Sequence, residues 1–176
     1  SKSLSLSSDI SAPGVRAYGF DDMYNAYKVQ AESLLRGGAD ILLIETCFDA
    51  LNVKAALKAI SDCRSHIPVM ISVSVGDRSG RTLTGQTLEA FYTSVRHYPI
   101  MSFGLNCSLG AADMVPLLED INNWCSCPIS CYPNAGLPNE MGSYDQTPEA
   151  MAEQVSDMAR RGLVNIVGGC CGTTPD

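Results

Sequence analysis

The chain has 176 residues, 45% hydrophobic and 18% charged, the balance of a soluble globular protein with length for one well-formed core. Twelve Lys and Arg against nineteen Asp and Glu give a net charge of −7 without a basic cluster, which argues against nucleic acid or an anionic membrane surface as partner. No stretch approaches the roughly 20 apolar residues of a membrane span, and the Ser-rich opening from Ser1 to Ser8 lacks the apolar core of a signal peptide, so the expected location is the cytoplasm.

After a polar opening through Gly14, Met23, Tyr27, Leu34 and Leu35 recur near helical spacing, which predicts a helix from Phe20 to Arg36, capped by Asp21 and stopped by Gly37-Gly38. Ala39 to Thr46 reads as a strand buried on both faces that carries a carboxylate, Glu45, at its C-terminal end. A helix from about Leu51 to Ser61 follows, with Val53, Ala56, Leu57 and Ile60 as its inner stripe. The pattern then repeats as strand Val69 to Val75, helix Leu88 to Arg96, strand Met101 to Asn106, helix Ala112 to Ile121 and strand Pro128 to Tyr132. The last helix is the best signalled: Thr147 caps it, Pro148 takes its first position, Glu149 favours its positive end, and Gly162 closes it before strand Leu163 to Val167. Strand starts about thirty residues apart predict βα units with right-handed crossovers in a parallel sheet, an α/β architecture.

Chemistry-bearing residues gather at the C-terminal ends of these strands, the face on which parallel sheets and barrels build sites. Gly168-Gly169-Cys170-Cys171-Gly172 places two adjacent cysteines after the last strand. On a regular strand neighbours point to opposite faces, but the flanking glycines let the chain curl and turn both sulfurs toward one point. Zinc takes three or four ligands, and Cys107 stands in the same position, at a strand end before Ser108-Leu109-Gly110. Three sulfurs from Cys107, Cys170 and Cys171 would leave a fourth coordination position open for chemistry. A vicinal disulfide, and with it a dithiol redox protein, is the competing use of the same Gly-rich turn, and a lone strand-end cysteine such as Cys107 is more often packing than ligand.

The remaining cysteines, Cys47, Cys63, Cys131 and the pair in Cys125-Ser126-Cys127, read as reduced packing residues. His66 and His97 stand alone near helix ends and read as surface residues, and Trp124 and the tyrosines show no nucleic-acid stacking pattern. Gly80 to Gly85 lacks the Gly-Lys-Ser/Thr ending of a phosphate loop and suits a plain loop or a lid near the rim.

Several blocks in order give the chain a resemblance to a known family. They are Ser5-Leu6-Ser7-Ser8-Asp9, Gly38 to Thr46, Ser79 to Thr87, Phe103-Gly104-Leu105-Asn106-Cys107, Tyr132-Pro133-Asn134-Ala135-Gly136-Leu137-Pro138-Asn139 and Gly168 to Pro175. Together they resemble the homocysteine-binding, zinc-dependent methyltransferase domain of cobalamin-dependent methionine synthase. Cobalamin-independent homocysteine methyltransferases share the Cys and Gly-Gly-Cys-Cys pattern, but the block from Tyr132 to Asn139 is more similar to the cobalamin-dependent enzymes.

The resemblance implies a (β/α)8 TIM barrel, here a partial barrel with about five parallel strands. Residues 1–176 would then be one partial domain holding strands four to eight, without the first three strands and the last helix. It implies zinc on Cys107, Cys170 and Cys171, homocysteine as substrate with Glu45 at its ammonium group, and methylcobalamin carried by another domain as methyl donor. Asn134 is expected as a provisional zinc ligand or an outer hydrogen-bond partner, a turn-forming Asn being the plain alternative. No residue is assigned as a catalytic acid or base. Expected partners are the missing N-terminal barrel half, the folate and cobalamin domains of a parent chain, and further copies of the chain through the open flank. Without such cover the five strands would need a rearranged sheet or would be marginally stable and inactive.

Overall fold

The computed structural model describes residues 2–63 and 66–175; Ser1 and Asp176, the ends of the expected domain, lie outside the described residues. Helices and strands alternate as α1 (Phe20–Arg36), β1 (Leu42–Cys47), α2 (Ala50–Asp62), β2 (Val69–Val73), α3 (Leu88–Val95), β3 (Ile100–Gly110), α4 (Ala111–Trp124), β4 (Ile129–Asn134), α5 (Pro148–Arg160) and β5 (Ile166–Val167). All neighbouring strands pair in parallel in the order β1-β2-β3-β4-β5. The sheet is therefore not rearranged. It is a partial barrel built from sequential βα units, as the spacing of apolar segments requires.

The two faces of the sheet differ chemically. Register pairs Ile71 with Phe103 and Phe103 with Ile129, and Val73 with Leu105 and Leu105 with Cys131, so these six side chains share one face. They form a single core with Val53, Leu57, Phe91, Met114, Leu118 and Met158 of the helices. The other face carries small or polar side chains at matched positions: Ser72 beside Gly104, and Gly104 beside Ser130. Gly104 is required by close approach, since a Cβ there would lie 1.8 Å from the Ser130 carbonyl oxygen.

Three expectations are corrected. β1 is not buried on both faces: Leu42 and Cys47 are, while Leu43 is 40% exposed and Glu45 is exposed, because β1 is the edge of the described sheet and its second face is open. Glu45 does not end the strand either, for pairing shifts between Ile44 and Cys47 and leaves Glu45 and Thr46 in a bulge. At α1 the cap is Gly19, whose N–H donates to the Asp22 carboxylate at 2.8 Å, so Asp22 and not Asp21 closes the first turn. Thr147 and Pro148 open α5 as expected, with the Thr147 hydroxyl accepting from Ala150 N–H.

Candidate metal centre

The strand that carries Cys107 overshoots the sheet and turns sharply. Cys107 and Ser108 adopt φ of 62° and 65°, the left-handed region that costs a residue with a Cβ about 1–2 kcal/mol. Pairing of β3 with β4 shifts here, between Asn106 and Gly110, and Gly110 caps α4 directly. Thr46, in the bulge of β1, has φ of 54°, a conformation unusual for a β-branched residue. Among the described residues, the non-glycine positions with left-handed backbone thus sit together on the C-terminal rim, and such strained backbone clusters at functional sites.

One buried side chain holds this rim. Asn106, fully buried, accepts from Thr46 N–H at 3.1 Å and from the Ser72 hydroxyl at 2.7 Å, and its NH2 donates to Thr46 Oγ1 at 2.8 Å and toward Cys170 Sγ at 3.8 Å. It links β1, β2, β3 and the Cys-Cys segment in a single amide.

The Cys-Cys segment runs along the end of β4. Gly168 N–H donates to Cys131 C=O, Cys170 N–H to Pro133 C=O, and Ala135 N–H to Cys171 C=O, at 3.1, 2.9 and 2.9 Å. Asn134 Oδ1 accepts from Cys171 N–H at 3.1 Å, so its amide oxygen is engaged in positioning the cysteine pair. Gly172 takes φ of 80° directly beneath Tyr144, where a Cβ would fall 2.3 Å from the ring.

The three predicted sulfurs come together. Cys107 Sγ lies 3.8 Å from Cys171 Sγ, Cys170 Sγ lies 3.9 Å from Cys171 Sγ, and all three atoms fall within 4.8 Å of one another. A zinc–sulfur bond of about 2.3 Å in tetrahedral geometry requires sulfurs about 3.8 Å apart, so the donor set fits zinc. Among the described residues no other group of three such ligands converges. Burial first, and the neighbouring Cys107 after it, push the Cys170 thiol up to about 11, although the Asn106 amide acts against them. Crowded sulfurs without a cation resist losing their protons together.

Glu45 is exposed in the bulge of β1, within electrostatic range of Tyr132 on β4. The Tyr132 hydroxyl is raised above its ordinary value by burial first, with the Glu45 charge adding to the effect. Two contributors carried no sequence signal. Tyr144, in the long segment before α5, lies over Gly172, and its hydroxyl is raised by burial first and then by the nearby Cys171 sulfur. Asp49, N-cap of α2, is buried and gathers Ser3 Oγ, Leu4 N–H, Ser5 N–H, Ser5 Oγ, Leu51 N–H and Asn52 N–H, tying the opening segment to the rim.

The sequence profile of the homocysteine S-methyltransferases matches residues 2–176. The chain belongs to that family. Crystal structures of the homocysteine methyltransferase MmuM from Escherichia coli share the fold: the apo form matches with a TM-score of 0.71 at 20% identity, over 89% of this chain and 53% of that one. The metallated form matches at 0.68 and 22% identity and the oxidised form at 0.67 and 21%, each over 86% of this chain and 49% of that one. This chain therefore spans about half the length of these methyltransferases. No described helix is long and apolar enough to cross a membrane.

Proposed function

We propose that this chain is the homocysteine-binding part of a cobalamin-dependent methionine synthase, corresponding to strands four to eight of its barrel, and that Cys107, Cys170 and Cys171 hold zinc. The observation that carries the reading is the spacing of the three sulfurs on the strained rim, matched to the edge of a zinc tetrahedron. Zinc bound there supplies the positive charge that lowers the pKa of the homocysteine thiol, so the substrate presents its thiolate near neutral pH.

The chain's own residues orient and position. Asn134 fixes the backbone of Cys171, and Asn106 fixes Thr46 and reaches Cys170, so the three sulfurs keep their spacing without the substrate. Glu45, exposed in the β1 bulge next to Thr46, which Asn106 holds, pairs with the substrate ammonium. Methylcobalamin, held on another domain, would supply the methyl group to the substrate sulfur that this chain positions. The block from Tyr132 to Asn139 favours the cobalamin-dependent branch over cobalamin-independent methyl transfer.

The test is metal content together with substrate binding. Protein purified without added metal is expected to hold about one zinc per chain, and Cys107→Ser to lose at least about 100-fold in zinc affinity by chelator competition. With cobalt(II) in place of zinc, homocysteine should intensify the sulfur-to-metal absorption, as a fourth thiolate would. Unchanged zinc affinity in Cys107→Ser would remove the ligand assignment.

A further inference from the structure

A second group of sulfurs lies at the other end of the sheet, about 20 Å along β4 from the rim. α4 ends at Trp124, and Cys125 leaves it in extended conformation with its N–H donating to Ile121 C=O at 2.9 Å. Cys127 precedes Pro128, which restricts it to extended backbone as well. Residues two apart on an extended chain face the same side, and Cys125 Sγ lies 3.6 Å from Cys127 Sγ. Between them, Ser126 is clamped by Tyr92, whose hydroxyl is 2.8 Å from Ser126 Oγ and accepts from Ser126 N–H at 3.2 Å. Both cysteines are half-buried and Ser126 is exposed, so a small molecule can reach the pair.

We infer that Cys125 and Cys127 form a thiol-exchange site, a dithiol that reacts with small-molecule disulfides and closes into an intramolecular disulfide. Among the described residues no third ligand converges on these two sulfurs, and two alone do not make a metal site. They are, however, near enough to bond: closing from 3.6 Å to a disulfide length of about 2.05 Å needs side-chain rotation while Tyr92 holds the backbone. The two sulfurs share this contact and either can be the donor; with the proton on Cys127 the hydrogen bond lowers the Cys125 thiol and raises Cys127. In that arrangement Cys125 is the attacking thiolate.

The exchange balances in two steps. Cys125 attacks one sulfur of a disulfide RS–SR, the S–S bond breaks, and one RS⁻ leaves with the electron pair. Cys127 then gives its proton to water or to that RS⁻ and attacks Cys125 Sγ, expelling the second RS⁻. The two protein thiols are oxidised and one RS–SR is reduced to two thiols.

Trp124, the single tryptophan of the chain, adjoins Cys125 and packs on Tyr92 with ring centroids 5.5 Å apart, so its fluorescence reports on the pair. The experiment equilibrates zinc-loaded protein with reduced and oxidised glutathione over a range of ratios. Expected are the joint loss of two alkylatable thiols, a Cys125–Cys127 disulfide in mapped peptides, and a change in Trp124 emission along the same two-electron curve. In Cys127→Ser, glutathione should remain trapped on Cys125 at one per chain. Either a disulfide-free peptide map under oxidising ratios, or Cys127→Ser protein that traps no glutathione on Cys125, overturns the proposal.

Discussion

The chain builds two sulfur groups at the two ends of one sheet, by opposite means. On the rim, Cys107 and Cys171 are 64 residues apart in sequence and meet only because Thr46, Cys107 and Ser108 adopt left-handed backbone and the buried Asn106 holds the strands that carry them. At the other end, Cys125 and Cys127 meet because a helix ends and a proline follows, with ordinary backbone throughout. Convergence from distant segments is what brings in a third sulfur, and a third sulfur is what separates a donor set for a metal from a pair suited to exchange. The rim depends on tertiary structure for its geometry, and the thiol pair carries most of its geometry locally.

The largest test of that contrast is Asn106→Ala. It leaves Thr46 N–H and the Ser72 hydroxyl without their buried acceptor, so it should cost about 3 kcal/mol, or a Tm fall near 10 °C for a chain of this size. Removing the matching clamp at the other end, in Ser126→Ala, should cost less than about 1 kcal/mol, because Ser126 is exposed. Equal losses in urea unfolding would mean that the two groups are not held differently.

Asp49→Asn gives a smaller effect with a pH signature. Burial alone would raise this carboxyl, but the hydrogen bonds from Ser3, Ser5 and Leu4 outweigh it and hold it below its ordinary value. The folded state therefore binds fewer protons at Asp49 than the unfolded state does. Its contribution is fully present above the unfolded value near about 4, and is lost as pH falls through the lower folded value. Wild type should exceed Asp49→Asn by about 2 kcal/mol at pH 7, with the gap shrinking steadily below about pH 4. A gap that stays constant down to pH 3 would contradict this account.

The elements were legible because each is written locally: the α1 bounds from apolar spacing and Gly37-Gly38, and the α5 start from Thr147-Pro148. The three rim cysteines were legible too, since their glycine and strand-end contexts are local. What sequence patterns missed depends on tertiary structure. The exposed face of β1 follows from its place at the sheet edge, which an apolar run does not encode. Asn106 acts across a gap in sequence, and a side chain that bonds residues 60 positions away leaves no periodic trace. The Cys125-Ser126-Cys127 segment does pack against the core as its apolar neighbours predict, but that reading passed over how near the two sulfurs lie.

The smallest test probes the strain itself. Ser108 sits at φ of 65° with its hydroxyl 2.7 Å from Ser74 Oγ. Ser108→Ala and Ser108→Gly lose the same hydrogen bond, so their difference isolates the backbone. Alanine keeps a Cβ in the left-handed region, whereas glycine occupies it freely at some cost in unfolded-state entropy. The glycine variant should be the more stable by about 1 kcal/mol. At Cys125, where the backbone is extended, the order reverses: Cys125→Ala should be more stable than Cys125→Gly, since glycine there only adds freedom to the unfolded chain. If alanine were preferred over glycine at both positions, the rim would hold no strain, and its sulfurs would be brought together by packing alone.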